Sequence, residues 1–125
     1  MSDEITLTLP RTRDFHRVAH LVLGGLAVRL DLTIETLEDL ELAVDAILAR
    51  AEPAAAEAVT VRMRLDDDSL ETVIGPLPSR LLDEIEREPD EELGLRRVLD
   101  GTVDDVLVDG ASVRLMKRVT RATRG

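Results

Sequence analysis

The chain has 125 residues and a formal net charge of -10, from 16 Lys and Arg against 26 Asp and Glu. Residues 1–125 are expected to form one domain with a single core, and 44% hydrophobic with 34% charged residues is too apolar for a disordered acidic chain. The carboxylate excess argues against nucleic acid as a partner, because affinity for a phosphate backbone comes from Lys and Arg displacing counterions.

Ile5-Thr6-Leu7-Thr8-Leu9 alternates apolar and polar and stops at Pro10, the pattern of a strand with one buried face. From about Arg11 to Leu32, Phe15, Val18, Ala19, Val22, Leu26 and Leu30 recur at three and four and predict one face of a long helix. Gly24-Gly25 interrupts it at a cost of roughly 2 kcal/mol relative to alanine, so either a neighbour packs close there or the helix bends. Thr33, with Glu35 and Glu38 behind it, predicts the N-cap of a second helix to about Arg50 that turns Leu37, Leu40, Val44, Ile47 and Leu48 inward.

Val59 to Leu65 alternates cleanly, Asp66-Asp67-Asp68-Ser69 is a polar turn, and Leu70 to Ile74 returns, which predicts a β-hairpin ended by Gly75-Pro76. Ser79 is expected to cap a short helix over residues 80–87. A charged connector through Glu88-Pro89-Asp90-Glu91-Glu92 leads to another short helix, Leu93 to Leu99, that stops near Gly101. Val103 to Val108 and Ala111 to Val119 flank an Asp109-Gly110 turn and form a second hairpin. Residues from about 120 onward are expected to fray into a disordered tail. The order β-α-α-β-β-α-α-β-β predicts an α+β two-layer sandwich: a mostly antiparallel, mixed sheet with helices on one face.

Several absences sharpen the composition. There is no Cys, which excludes a disulfide framework, a thiolate nucleophile and any Cys-containing zinc site. No apolar run reaches 18 residues and the acidic start lacks a basic n-region, so no membrane association is expected and the cytoplasm is the expected compartment. The chain also has no Asn, no Gln and one Lys, Lys117. Phe15 is the one aromatic residue, so aliphatic side chains must build the core and no platform exists for stacking bases.

The strand ending in Pro10, the long helix, the run LTIETLEDLELAVDAILARA, the hairpin, LGLRRVLDG and the closing VRLMKRV together resemble the anti-sigma-factor serine kinases of bacteria. These are small Bergerat-fold proteins of the class that includes histidine-kinase and Hsp90-type ATPases. Their second helix carries a Glu, the general base, and an Asn, the Mg²⁺ ligand, four residues apart on one face. The resemblance lays these places on Ala46 and Arg50, with Asp45 one residue from the base position. The family's adenine-reading Asp-x-Gly-x-Gly falls on Val73 to Leu77, where Gly75 matches and Val73 replaces the Asp. Its phosphate-binding Gly-x-Gly-Leu turn falls on Glu92 to Leu95, where Gly94 matches and Glu92 follows Asp90 and Glu91. Each departure removes an interaction with ATP, so no cofactor is expected even though the family uses ATP and Mg²⁺.

Other constellations carry less. His16 and His20 stand at i and i+4, but a zinc site needs a third ligand and Arg17 stands where HExxH requires Glu. Asp66 to Asp68 lacks the every-other-residue spacing of a calcium loop, and Ser79 has no nucleophile-elbow context. Arg114, Lys117, Arg118, Arg121 and Arg124 form a basic end, expected to be mainly solvated.

The resemblance therefore implies an anti-sigma-like regulator that binds a sigma factor, a STAS-domain anti-anti-sigma protein, or both in exchange, with a homodimer as a further expectation. Exposed arginines of the first helix, Arg13, Arg17 and Arg29, are the expected contacts. Two alternatives stand beside it: an active serine kinase using Asp45 as base, and a scaffold domain for an unrelated signalling partner.

Overall fold

The computed structural model describes residues 3–10, 16–51, 58–66, 68–86 and 94–119. Phe15 and the residues from 120 onward lie outside these ranges. Nine elements follow in chain order: β1 (Asp3–Pro10), α1 (His16–Arg29), α2 (Ile34–Ala51), β2 (Ala58–Asp66), β3 (Ser69–Gly75), α3 (Ser79–Glu86), α4 (Leu95–Thr102), β4 (Asp105–Asp109) and β5 (Ser112–Arg118). The five strands form one sheet in the order β1-β2-β3-β5-β4. All four pairings are antiparallel, so the α+β sandwich holds while the mixed character expected of its sheet does not.

Register explains why one face is covered. Leu7, Val61, Ile74, Val113 and Val108 stand opposite one another across all five strands. The next row on that face is Ile5, Met63, Thr72, Leu115 and Val106. Because side chains alternate between faces, these rows point together toward the helices. Leu9, Val59, Leu65 and Leu70 extend the same apolar surface and are buried. The other face carries Arg62, Arg64, Glu71, Val73, Arg114 and Met116.

Helix α2 lies centrally, packed against α1 on one side and α4 on the other. Its Leu40, Ala43, Val44, Ile47 and Leu48 are each no more than 1% exposed, at the three-and-four spacing of a buried helical face. Helix α1 adds Ala19, Leu23, Leu26 and Leu30, while Leu81, Leu82, Ile85, Leu95 and Leu99 close the far end.

The local signals mostly act as expected. Thr33 Oγ1 accepts the Thr36 N–H at 3.2 Å, capping α2. Gly110, at φ +61°, supplies the left-handed residue of the β4–β5 turn. Ser79, however, is the first residue of α3 rather than its cap: the Pro78 carbonyl accepts the N–H groups of Leu81 and Leu82. Gly101 lies within α4, which runs to Thr102, where the threonine hydroxyl donates back to the Val98 carbonyl at 2.8 Å. Gly24 and Gly25 lie within α1, and a Cβ at either would meet nothing within 4 Å among the described residues. Close packing by an internal neighbour does not account for the pair.

One buried group stands out against the aliphatic core. Thr72 is 1% exposed and its Oγ1 has no hydrogen-bond partner among the described residues. Replacing the hydroxyl by an isosteric methyl removes an unsatisfied polar group at little cost in shape. Thr72→Val is expected to stabilise the protein by about 1 kcal/mol, read as a raised urea midpoint at unchanged slope.

Candidate functional site

The burial of Leu40, Val44 and Ile47 fixes the rotation of α2, and hence the direction of every side chain beside them. Glu41 and Asp45 fall on the flank facing α1. There Glu41 Oε2 lies 3.1 Å from His20 Nδ1 and Asp45 Oδ1 lies 3.1 Å from His20 Nε2. The Nε2 approach is oblique: the atom is buried without an aligned hydrogen bond. Asp45, the residue nearest in sequence to the expected base position, is therefore engaged with α1.

Ala46 and Arg50 fall on the opposite flank, where Arg50 lies beside α3. Ala46 is half-buried and packs against the core. The Arg50 guanidinium folds back along its own helix, donating from Nη1 to the Ala46 carbonyl at 3.2 Å, and its Nε lies 4.0 Å from Glu84 Oε1 of α3. Arg80, also of α3, donates from Nη2 to the Arg50 carbonyl at 3.2 Å.

The structure does not bring the remaining positions together. Val73 sits on the sheet face away from the helices, between Arg62 and Arg114 in register, so it cannot share a pocket with Ala46. Gly75 is buried at the β3–β5 seam. A Cβ there would lie 2.9 Å from Ser112 Cβ and 3.0 Å from Ser112 Cα. Strand packing thus requires this glycine independently of any ligand. Gly94 is the N-cap of α4, with ψ 151° and no side-chain cap; its carbonyl accepts the N–H groups of Arg97 and Val98. Glu92, with Asp90 and Glu91, lies outside the described residues.

The donor set around Ala46 and Arg50 does not fit a divalent cation. Mg²⁺ requires near-octahedral oxygen ligation, whereas this place offers a methyl group, a guanidinium, a carbonyl already bonded to that guanidinium and one carboxylate, Glu84, that faces the same cation. Among the described residues no group of three His, Asp or Glu is placed to hold a metal. Two clefts lie elsewhere. One of about 580 Å³ opens at the other end of α2, beside Thr33, Asp39 and Lys117. One of about 470 Å³ opens by the β2–β3 turn, beside Arg64, Asp68 and Arg118.

The basic end is partly spent inside the molecule. Lys117 Nζ bonds Asp39 Oδ2 at 3.0 Å, and Arg114 Nη2 bonds Asp109 Oδ2 at 3.3 Å. Of the expected partner-contact arginines, Arg13 lies outside the described residues, while Arg17 and Arg29 are exposed on α1. Between them the helix also exposes Leu21 at 75% and Val28 at 80%, and α2 exposes Leu42 at 57%. Sequence reading passed over these apolar residues. Their signal was available: Leu21 and Val28 interleave with the inward series at positions facing outward.

Among solved structures, the fold is similar to the crystal structure of the RsbU and RsbW domains of Rv1364c from Mycobacterium tuberculosis. The TM-score is 0.71 over 98% of this chain, at 15% sequence identity. The chain spans 33% of that chain's length. No family model and no curated protein matches the sequence. The likeness is one of fold, and it agrees with the Bergerat-like ATPase architecture that the resemblance implied.

Gly75 separates a packing role from a ligand role in a direct way. Gly75→Ala is expected to cost about 1–3 kcal/mol through overpacking, with Ser112→Gly recovering part of the loss because it removes the nearer of the two contacts. Urea denaturation of the two single variants and the double variant checks this.

Proposed function

We propose that this chain is an anti-sigma-like regulator that acts by protein–protein binding in a sigma-factor partner-switching pathway, without ATP-dependent kinase activity. The observation that carries this reading is the Arg50 guanidinium, folded onto the Ala46 carbonyl and set beside Glu84. In the resembled family these two helix positions supply the general base and the metal ligand. Here one has no titratable group and the other bears a positive charge that repels Mg²⁺. The kinase alternative needs Asp45 as base, and Asp45 faces His20 on α1. Likeness of fold to a structure containing an RsbW domain supports the pathway assignment.

The partner on this reading is a sigma factor, a STAS-domain anti-anti-sigma protein, or both in competition, and a second copy of the chain is a further candidate. No helix among the described residues is long and apolar enough to cross a membrane, and the cytoplasm is the compartment in which such partners reside. The exposed face of α1 is the proposed contact, with Leu21 and Val28 supplying apolar area and Arg17 and Arg29 its charged ends. Apolar anchors of this kind, rather than rim charges, carry most of the energy of a protein interface.

Two measurements test the proposal. A ligand at a hundredfold excess over its dissociation constant stabilises the fold by about 2.7 kcal/mol. Millimolar Mg-ATP is accordingly expected to leave the melting temperature and the calorimetric baseline unchanged; a rise of several degrees would favour the kinase. Purified sigma factors and STAS proteins of the host, presented without nucleotide, are expected to include at least one that binds. Binding by none of them would favour the scaffold alternative. Leu21→Asp is expected to weaken the captured complex about tenfold or more while leaving the melting temperature within a few degrees, as measured by titration calorimetry and thermal denaturation.

A further inference from the structure

We propose that α2, α3 and α4 are latched in sequence by arginines that cap one another's C-terminal ends, so that this layer is ordered by the chain itself and not by a bound nucleotide. The inference rests on the nucleotide-independent reading given above and supplies its structural means.

Helices α3 and α4 have eight residues each, too few to persist in water on their own propensity. Each buries one face: Leu81, Leu82 and Ile85 in α3, and Leu95, Leu99 and Thr102 in α4. Neither has a basic residue in its last turn. Among the described residues, the carbonyl groups there, at the negative end of the helix dipole, have no cation in the last turn of their own helix.

For α3, that cation comes from the next helix. Arg96 Nη1 of α4 donates to the Ile85 carbonyl at 2.7 Å, while its Nε donates to Asp100 Oδ1 one turn further along α4 at 2.9 Å. The Asp100 carboxylate holds the planar guanidinium so that its second edge meets the end of α3. A second arginine-to-carbonyl bond links the preceding pair of helices, although α2 also has Arg50 in its own last turn. Arg80 of α3 donates to the Arg50 carbonyl in the last turn of α2, and the Arg50 side chain turns toward Glu84 of α3. The end of α2 is thus capped from α3, and the end of α3 from α4. Charge-assisted bonds of this kind are shorter and stronger than neutral ones; the Arg96 bond to the Ile85 carbonyl is part-buried, and the Arg80 bond to the Arg50 carbonyl is exposed.

The consequence is a fixed surface. Three guanidinium groups and the ends of two helices satisfy one another. The three helices then keep one arrangement whether or not nucleotide is present.

Hydrogen–deuterium exchange on the full chain tests the latch. Compared with wild type, Arg96→Met, which keeps the apolar stem, is expected to speed exchange of the α3 amides about tenfold or more, as fits the loss of one charge-assisted hydrogen bond. Arg80→Met is expected to do the same at the end of α2, with the amides of β2 and β3 unchanged in both variants. In the wild type, Mg-ATP is expected to leave α3 exchange as it is. Unchanged α3 exchange in Arg96→Met together with unchanged α2 exchange in Arg80→Met would overturn the latch, as would slowing of wild-type α3 exchange by Mg-ATP. Nucleotide that binds by calorimetry yet leaves the arginine-dependent protection of α3 intact would count against the functional reading and leave the latch standing.

Discussion

The seating of α2 on the sheet is the constraint from which the rest follows. With no aromatic side chain among the described residues, the core depends on close interdigitation of Leu, Val, Ile, Ala and Met, where even one misplaced methylene is felt. Five α2 side chains at no more than 1% exposure leave that helix a single rotational setting. The setting then distributes its polar positions. Glu41 and Asp45 go toward α1, where His20 lies between them. Ala46 and Arg50 go to the opposite flank, where Arg50 lies beside α3, and Asp39, seven residues before Ala46 on the same flank, reaches Lys117 of β5. An acidic helix is therefore partitioned, by apolar packing alone, into a seam with one helix, a seam with another and an outward strip.

The same partition decides where the positions laid out by the resemblance come to lie. A single step along α2 separates Asp45 from Ala46, and that step of about 100° turns a carboxylate from the interior flank to the α1 seam. Within this rotational setting, Asp45 cannot reach the Arg50 flank without unseating Leu40, Val44 and Ile47. Asp39, Glu41 and Asp45 lie instead beside Lys117 and His20 of neighbouring elements.

How far this was legible in the sequence varied with the range of the interaction. Thr33 as a cap, the Asp109-Gly110 turn and the period-2 rows of β2 and β3 are decided within a few residues, and they read correctly. The pairing β3-β5, which places the chain's last strand inside the sheet and leaves β4 at its edge, depends on contacts between distant residues that no local pattern encodes. Ser79 looked like a cap because serine commonly is one, but the Pro78 carbonyl had already set the helix start. Gly75 fitted a ligand turn in sequence and serves the Ser112 contact in space. At Arg50, which the resemblance lays on the metal-ligand position, the bond back to Ala46 lies within its own helix, whereas the approach to Glu84 depends on where α3 lies and no local pattern encodes it. Exposed Leu21 and Val28 were overlooked because attention to charge favoured Arg13, Arg17 and Arg29.

Lys117 gives the seam between α2 and β5 a chemical identity of its own. It is the single lysine of the sequence, its side chain is 15% exposed, and its ammonium is held by Asp39. A protonated, hydrogen-bonded amine is a poor nucleophile. Acylating reagents, and any cellular machinery that conjugates proteins through lysine, therefore meet one side-chain amine in this chain, and it is withheld for as long as α2 stays seated on the sheet.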